Sequence, residues 1–210
     1  MSVRNIVKVW TETELIDDNI SFLKEKTKNV YFPITENTKI IIQDLIDTYQ
    51  KIPCAGIAAN QIGYNKSIFI GLKKLEEDID VDELEKKEAA STTNNSDEIN
   101  EYADNYEIYI NPQIDRVDKK STQEEIEGCL SIPNISLRIK RFNKIKVRYY
   151  SENGKVVKKT LQGFMSKLFQ HELDHLEGRL MVEHDLIDGF IDEASKMSPD
   201  IFQELREKLK

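Results

Sequence analysis

The sequence predicts an α+β fold in which small antiparallel or mixed sheets surround one central helix. Short apolar or alternating stretches near residues 66–72, 107–112 and 143–161 are typical of strands. One markedly apolar helix is predicted over 164–176, with two histidines four residues apart in it. This mixture of short strands with one dominant helix favours an α+β class over alternating βαβ units.

Length and charge favour one domain with an acidic surface insertion. A chain of 210 residues is long enough for a single core of a sheet with helices. Its net charge is −8, but residues 76–107 hold 13 Asp/Glu and two Lys, so the rest carries about +3. The polar composition of 73–107 predicts a solvated, partly disordered insertion. We therefore expect a single domain over 1–185 and a helical tail over 186–210.

Composition excludes several classes of protein. No block of Lys and Arg indicates nucleic-acid binding, and the apolar runs are too short to span a membrane. The first residues lack the apolar core of a secretory signal. Cys54 and Cys129 are too few and too far apart for a disulfide framework, which favours a reducing compartment. A bacterial cytoplasm is expected, with an organelle matrix as the alternative if a transit peptide was removed.

Three helices are predicted from apolar spacing. Within Thr38–Tyr49 the apolar positions follow a helical period, with a start signal at Thr35 or Thr38. The helix over 164–176 is expected to stop at Gly178. The stretch over 199–210 has the pattern of a last amphipathic helix.

The predicted strands are short. A buried strand covers 66–72, and another covers 107–112 and ends at its proline. The remaining extended segments are 135–139, 143–150 and 156–161, the last two paired around an Asn-Gly turn.

The central helix carries the residues with the clearest chemistry. His171 and His175 lie one turn apart on one face, so both can reach one divalent metal. Glu172 points to the side, near a metal-bound water, without being a ligand. Because the helix is apolar on several faces, two buried imidazoles beside a carboxylate would be costly without a cation or hydrogen-bond partners. The fold is therefore expected to surround a central metal-binding helix, as in metal-dependent hydrolases.

Sequence spacing alone does not identify the third metal ligand. The long zinc-protease pattern has its third histidine six residues after the second, but Met181 occupies that position and His184 comes three residues later. A zinc endopeptidase with a distant glutamate ligand remains an alternative. Cys129 is the other candidate, because a thiolate is a strong soft ligand. A lone cysteine is also often a small buried hydrophobe.

Three segments occur in the order Gly56-Ile57-Ala58-Ala59-Asn60-Gln61, then Glu127-Gly128-Cys129-Leu130-Ser131, then Gln170-His171-Glu172-Leu173-Asp174-His175-Leu176-Glu177-Gly178. Together they resemble the signature motifs of peptide deformylase. The resemblance covers roughly 30–72 and 107–185. It implies a deformylase-like fold and a hydrolase that removes the N-formyl group from the N-terminal formylmethionine of new polypeptides and releases formate. Two alternatives to an ordinary deformylase are an enzyme with a reduced or altered substrate range and a deformylase-like protein that only binds.

The resemblance also implies the cofactor. It makes Cys129, His171 and His175 the ligands of one divalent metal with water in the fourth position. The expected physiological metal is Fe²⁺, with Zn²⁺, Ni²⁺ or Co²⁺ as substitutes. The residue types alone do not select iron over zinc, because both metals accept a thiolate with two imidazoles.

Site residues follow by the same resemblance. Glu172 is expected to move the proton, and the Gln61 side-chain amide with the Leu130 N–H to hold the tetrahedral oxyanion. Gly56 and Ile57 are expected to bind the substrate main chain as an added strand. Expected partners are N-formyl-Met nascent chains and, through the tail, the ribosome, with no nucleic acid or membrane.

Further expectations concern the pocket for the methionine side chain and the surroundings of the metal. Ile57, Leu168 and the Lys167 stem are candidates for the methionine pocket. Glu127 is expected to orient the site through hydrogen bonds, Arg141 being one partner. Cys54 stands where the family has glycine, so it would be strained if that backbone had a positive φ, and it would bring a thiol near the metal.

Overall fold

The chain folds into two antiparallel sheets and four α-helices in a computed structural model that describes residues 2–11, 14–74, 100, 102–133, 135–184 and 198–209. The predicted α+β class is confirmed. The strands are β1 (Gly56–Ala58), β2 (Ile68–Leu72), β3 (Tyr106–Val117), β4 (Thr122–Gly128), β5 (Ser136–Phe142), β6 (Lys144–Tyr150) and β7 (Val156–Gln162). The larger sheet has the spatial order β1-β2-β3-β6-β7, and β4 pairs with β5 in the smaller one.

The described part of the chain also contains four α-helices and two 3-10 turns. They are α1 (Asp17–Leu23), α2 (Glu36–Tyr49), α3 (Phe164–Leu176) and α4 (Pro199–Lys208), with 3-10 turns at Ala59–Ile62 and Met181–Glu183. None of the helices in the described part of the chain has the length and apolarity that a membrane crossing requires.

The helix α3 is central, as its apolar sequence predicts. It packs against β1, β2, β5 and β7, so it lies between the two sheets. Phe169 fixes it to the larger sheet through edge-on contacts with Phe69 and Tyr109, at ring separations of 5.4 and 5.7 Å. The predicted bounds are confirmed, and Gly178 follows the helix with φ 72°. A Cβ there would lie 2.3 Å from the Lys24 carbonyl oxygen, so the chain before α2 closes over this end.

The structure shows which of the two predicted start signals, Thr35 or Thr38, caps α2. Thr35 is the N-cap, and its hydroxyl accepts a hydrogen bond from the Thr38 backbone N–H at 3.2 Å. The helix therefore begins at Glu36 and ends at Tyr49, as its apolar period predicts.

The strand predictions were right in position and wrong at one end. The strand β2 is fully buried, and β6 and β7 pair as expected, with Tyr150 opposite Val156. However, β3 does not end at Pro112. It continues to Val117 through a register shift, where Asn111 has φ 48°. The bulge removes the proline, which has no N–H to donate, from the regular ladder.

The strand β4 was missing from the prediction. Its sequence, Thr-Gln-Glu-Glu-Ile-Glu-Gly, contains three glutamates and one large apolar side chain, so it lacks the apolar alternation that indicates a strand. It nevertheless pairs with β5 along its whole length. The predicted extended segment at 135–139 is the first part of β5.

Both ends of the predicted insertion join packed structure. Residues 75–99 and 101 lie outside the described residues. Asn100 is buried, and its amide donates to the carbonyls of Tyr49 and Cys54 at 2.9 and 3.1 Å. Residues 106 and 107 already belong to β3. The character of the insertion itself remains a prediction.

The C-terminal helix packs against the N-terminal part of the chain. Leu205 and Leu209 of α4 share a buried apolar cluster with Trp10 and Leu23. Residues 185–197 lie outside the described residues, and the division at 185 into domain and tail remains a prediction.

Candidate active site

Three side chains that the sequence predicts as metal ligands meet beside α3. Cys129, His171 and His175 each offer one ligand atom, and these atoms all lie within 4.8 Å of one another. The Cys129 Sγ lies 3.3 Å from His175 Nε2. The two histidines come from successive turns of α3, whereas Cys129 follows directly after β4. The approach of the small sheet to this helix therefore brings Cys129, the candidate third ligand, to the two histidines.

A buried ion pair stands behind His171. Its Nδ1 lies 2.9 Å from Glu127 Oε2, and Arg141 donates to both oxygens of Glu127 at 2.7 and 2.8 Å. Burial raises the pKa of Glu127, but the charge and hydrogen bonds of Arg141 outweigh it and lower that pKa to about 2. An ionised Glu127 accepts a hydrogen bond from the Nδ1–H of His171, which leaves Nε2 of His171 to bind a metal. The predicted contact between Glu127 and Arg141 is thus present.

The same network continues to the far side of α3. Arg141 also donates to Asp174 Oδ2, and His184 Nε2 lies 2.7 Å from that oxygen. Burial raises the pKa of Asp174, but the hydrogen bond to His184 and the charge of Arg141 lower it to about 2. Sequence reasoning considered His184 only as a ligand and missed this contact. The sequence does not predict this contact, because the ten residues from Asp174 to His184 run past the end of α3 and so have no fixed helical spacing.

The cluster has the chemistry to hold a divalent cation. Burial, with the charge of His171, lowers the pKa of His175 to about 3, so its imidazole is neutral. Burial also lowers the pKa of His171, but hydrogen bonds to Cys129 and Glu127 outweigh it and raise that pKa well above its usual value. The neutral His175 can bind a cation directly, whereas a metal at His171 would compete with the proton on that ring. A thiolate with two imidazoles fits zinc or iron(II).

Gln61 aims its amide at the same place. The Gln61 Oε1 accepts a hydrogen bond from the Ala58 N–H at 2.9 Å. Its Nε2 then lies 3.3 Å from Ser131 Oγ and 3.7 Å from Cys129 Sγ. Asn60, which sequence reasoning did not single out, donates to the His175 carbonyl at 2.7 Å and ties this turn to α3.

Gly56 leaves space for the carboxylate between the two histidines. A Cβ on Gly56 would lie 2.7 Å from Glu172 Oε1 and 3.0 Å from a methyl carbon of Leu168. Real Cβ atoms do not approach an oxygen so closely, so a side chain here would displace Glu172. This steric reason for glycine is additional to the predicted role of its main chain in substrate binding.

A pocket opens directly beside the ligand cluster. Glu172 and Gln61 border it at the end nearest the ligands, and Leu130 lies next to them. Further out, its wall is largely apolar and is formed by Ile126, Phe164, Lys167 and Leu168. Of the predicted methionine-pocket residues, Leu168 and Lys167 are therefore on this wall.

Two first-motif residues lie away from the pocket. The Ile57 side chain is fully buried in the cluster beneath α2 and is not among the described residues that line the pocket, so its predicted side-chain role there was wrong. A main-chain role for Ile57 remains a prediction. Cys54 lies in the same cluster. It is not strained, because Asn111 is the one described non-glycine residue with a positive φ.

A cluster of potential metal ligands with an adjacent carboxylate, at the head of an apolar pocket, is the arrangement of a metal-dependent hydrolase. Comparison with known proteins agrees with that class. The family model described as polypeptide deformylase matches residues 13–189. The chain is 32% identical over 207 residues to the peptide deformylase of Elusimicrobium minutum, covering 98% of this chain and 96% of that one.

Two further matches give the same family. Peptide deformylase 1 of Clostridium perfringens is 30% identical over 186 residues, which cover 89% of this chain and 100% of that one. The crystal structure of peptide deformylase from Thermotoga maritima superposes with a TM-score of 0.63 and 27% identity, covering 88% of this chain and 98% of that one. The chain therefore belongs to the polypeptide deformylase family. It is a metal-dependent hydrolase that acts on formyl-methionyl peptides, as the three motifs predict.

Proposed function

We propose that Cys129, His171 and His175 hold the metal with which this chain deformylates the N-terminal formylmethionine of nascent polypeptides, and that Fe²⁺ is the physiological metal. The observation that carries this proposal is the meeting of the three ligand atoms within 4.8 Å at the head of the pocket. Bound there, a divalent metal would polarise the formyl carbonyl and lower the pKa of a coordinated water. The net reaction consumes one water and releases formate and a free amine.

Glu172 is the proton carrier in this proposal. It accepts the proton that water loses as its oxygen attacks the formyl carbon, and it returns that proton to the amine nitrogen as the C–N bond breaks. Its place between the two histidines, and the space that Gly56 leaves for its carboxylate, support this role.

The oxyanion is held by two donors from different segments. The Gln61 Nε2 and the Leu130 backbone N–H donate to the negative oxygen as the formyl carbon becomes tetrahedral. The hydrogen bond from the Ala58 N–H to Gln61 Oε1 supports this role, because it turns the amide nitrogen towards Cys129 before substrate binds.

The peptide main chain binds as an added strand. Among the described strands, β1 pairs only with β2 and β4 only with β5, so each leaves one edge unpaired. Both strands border the pocket, through Gly56 on one side and Ile126 on the other. An extended substrate can hydrogen-bond to such an edge at Gly56 and Ile57 while its first side chain enters the apolar part of the pocket.

Partners and compartment follow from this substrate. Formylated nascent chains and the bacterial relatives favour a bacterial cytoplasm, with an organelle matrix as the alternative. A ribosome contact would use the polar face of α4, because Phe202, Leu205 and Leu209 on the other face are buried.

The test is formate release from formyl-Met-Ala-Ser by protein loaded anaerobically with Fe²⁺. Glu172→Ala should retain bound metal and lose turnover by at least about a hundredfold, as removal of a general base does. A casein assay run in parallel separates deformylation from endopeptidase activity. No formate from the fully loaded wild-type protein, or wild-type rates from Glu172→Ala, would contradict the proposal.

A further inference from the structure

The apolar wall of the pocket contains one buried ammonium. Lys167 is only 4% exposed, and its Nζ donates to the Ile126 carbonyl at 3.2 Å. The same Nζ lies 5.0 Å from the centre of the Phe164 ring, in a cation–π contact. Lysine is rarely so buried, because its charge loses hydration there. A positive charge therefore stands in the side of a pocket that is otherwise suited to an apolar side chain.

The position of this ammonium is tied to the ligand cluster. Lys167 and His171 are four residues apart on the same face of α3. They contact successive residues of β4, Lys167 at the Ile126 carbonyl and His171 at the Glu127 carboxylate. The charge thus lies one helical turn away from a proposed metal ligand, along the strand that borders the pocket.

The proposed reaction determines which part of the substrate meets this wall, and the inference rests on it. With the formyl carbon beside Glu172, the first side chain leaves the main chain one atom beyond the amide nitrogen. The nearest apolar surface that can receive it is the part of the pocket lined by Ile126, Phe164 and Leu168. The end of an unbranched side chain of methionine length then passes along Lys167.

We propose that Lys167 determines specificity by donating a hydrogen bond to an acceptor at the end of the first side chain. An ammonium has three N–H donors on a flexible stem, so it can serve a substrate atom and the Ile126 carbonyl together. The enzyme would then distinguish side chains of nearly equal shape by their last polar atom. Norleucine offers no acceptor, the methionine sulfur is a weak one, and the oxygen of methionine sulfoxide is a strong one.

The two carboxylates that border the pocket do not provide this discrimination. Glu127 is engaged by Arg141 and His171, and Glu172 lies against Gly56 at the reacting end. The ammonium of Lys167 is the one cationic group among the described pocket-lining residues outside the ligand cluster. A chain with this lysine therefore tolerates an oxidised first methionine better than a purely apolar pocket would.

The test compares three formylated tripeptides that differ only in the first residue, namely methionine, norleucine and methionine sulfoxide. Lys167→Met keeps the length of the side chain and removes the charge. We expect the ratio of kcat/KM for sulfoxide over norleucine to fall by about tenfold or more, the usual size of a hydrogen bond to a charged group. Lys167→Arg should keep most of the ratio. Lys140→Met is the control, because Lys140 pairs loosely with Glu124 on the exposed side of the small sheet.

Binding of the deformylated tripeptides, measured by calorimetry, gives a second reading that needs no turnover. In Lys167→Met, the preference for the sulfoxide peptide over the norleucine peptide, measured as the ratio of their Kd values, should fall by a similar factor. An unchanged ratio in folded Lys167→Met would overturn the inference, and Lys167→Gln takes its place if Lys167→Met does not fold. A wild-type protein that releases no formate from formyl-Met-Ala-Ser would contradict the proposed function instead, and the ratio of product Kd values would still test Lys167.

Discussion

At the scale of single residues, the proposed site depends on small side chains and buried charges as much as on the ligands themselves. Gly56 is the clearest case, since a Cβ there would fall 2.7 Å from Glu172 Oε1. Its partner across the sheet, Gly71, has no such neighbour, and a Cβ there would meet nothing closer than 3.5 Å. Of these two paired glycines, only Gly56 is therefore required by a close side-chain contact.

The first prediction uses that contrast. Gly56→Ala should reduce kcat for deformylation about a hundredfold, because a shift of the carboxylate by about 1 Å misplaces the proton carrier. Metal content should stay unchanged, since no proposed ligand moves. Formate release and metal analysis on the same preparation measure both quantities. Gly71→Ala is the matched control, and an equal loss of kcat in both variants would show that the effect is general to the sheet.

The sequence predicts the candidate site residues but not the contacts that hold them in place. His171, Glu172 and His175 follow from helical spacing, and Cys129 and Gln61 from the resemblance. The contacts of Asn60 with His175 and of His184 with Asp174 have no signal of their own, because they join segments that meet only in the folded chain. The buried ammonium of Lys167 is a similar case, since helical spacing alone gives no reason to bury it.

At the scale of elements, α3 depends on how its end is closed. Thr27 donates to the Leu176 carbonyl through both its backbone N–H and its hydroxyl, each at 2.9 Å. Gly178 adopts φ 72° directly against the Lys24 carbonyl. The segment before α2 therefore satisfies the Leu176 carbonyl, which an exposed helix end would leave to water.

The second prediction concerns that closure. Gly178→Ala should lower the free energy of unfolding by at least about 2 kcal/mol, because a strained positive φ adds to a backbone collision. Gly63 is the control, since it has φ 88° with nothing within 4 Å of a Cβ. Gly63→Ala should cost about 1 kcal/mol from the backbone alone. Chemical denaturation of both variants measures the difference, and equal costs would show that the Lys24 contact is unimportant.

Elements with a regular apolar period were predictable, and the irregular ones were not. The bounds of α2 and α3 follow from spacing and capping residues. The strand β4 escaped prediction because exposed acids replace the apolar alternation, and β3 passes Pro112 because a bulge accommodates it. In both places tertiary pairing outweighs the local signal.

At the scale of the molecule, the N-terminal segment joins parts of the fold that are distant in sequence. Val7 donates to the Gln61 carbonyl at 2.7 Å, and Val9 donates to the Ser131 carbonyl at 2.9 Å. Trp10 then enters the apolar cluster that also receives α4. The first and last described parts of the chain thus pack together near the segments that carry the proposed oxyanion donors.

The third prediction tests whether α4 belongs to this cooperative unit. Leu205→Ala should lower the free energy of unfolding by about 2–5 kcal/mol, because Leu205 is fully buried. Trp10, the only tryptophan, should report the loss through its fluorescence in a denaturant titration. Gln203→Ala, on the exposed face of α4, should cost less than about 0.5 kcal/mol. A Trp10 transition that is unchanged in Leu205→Ala would show that α4 unfolds separately.

The closure of α3 by the segment around Lys24 also determines when the proposed site exists during synthesis. The closing residues 24–27 are translated early, Cys129 much later, and His175 with Gly178 later still. A chain that stops before Gly178 therefore lacks the glycine that lets the Lys24 segment close the end of α3, and one that stops before His175 also lacks a proposed ligand. We therefore expect deformylation only from chains translated past this point, because a shorter chain cannot bring all three proposed ligands together.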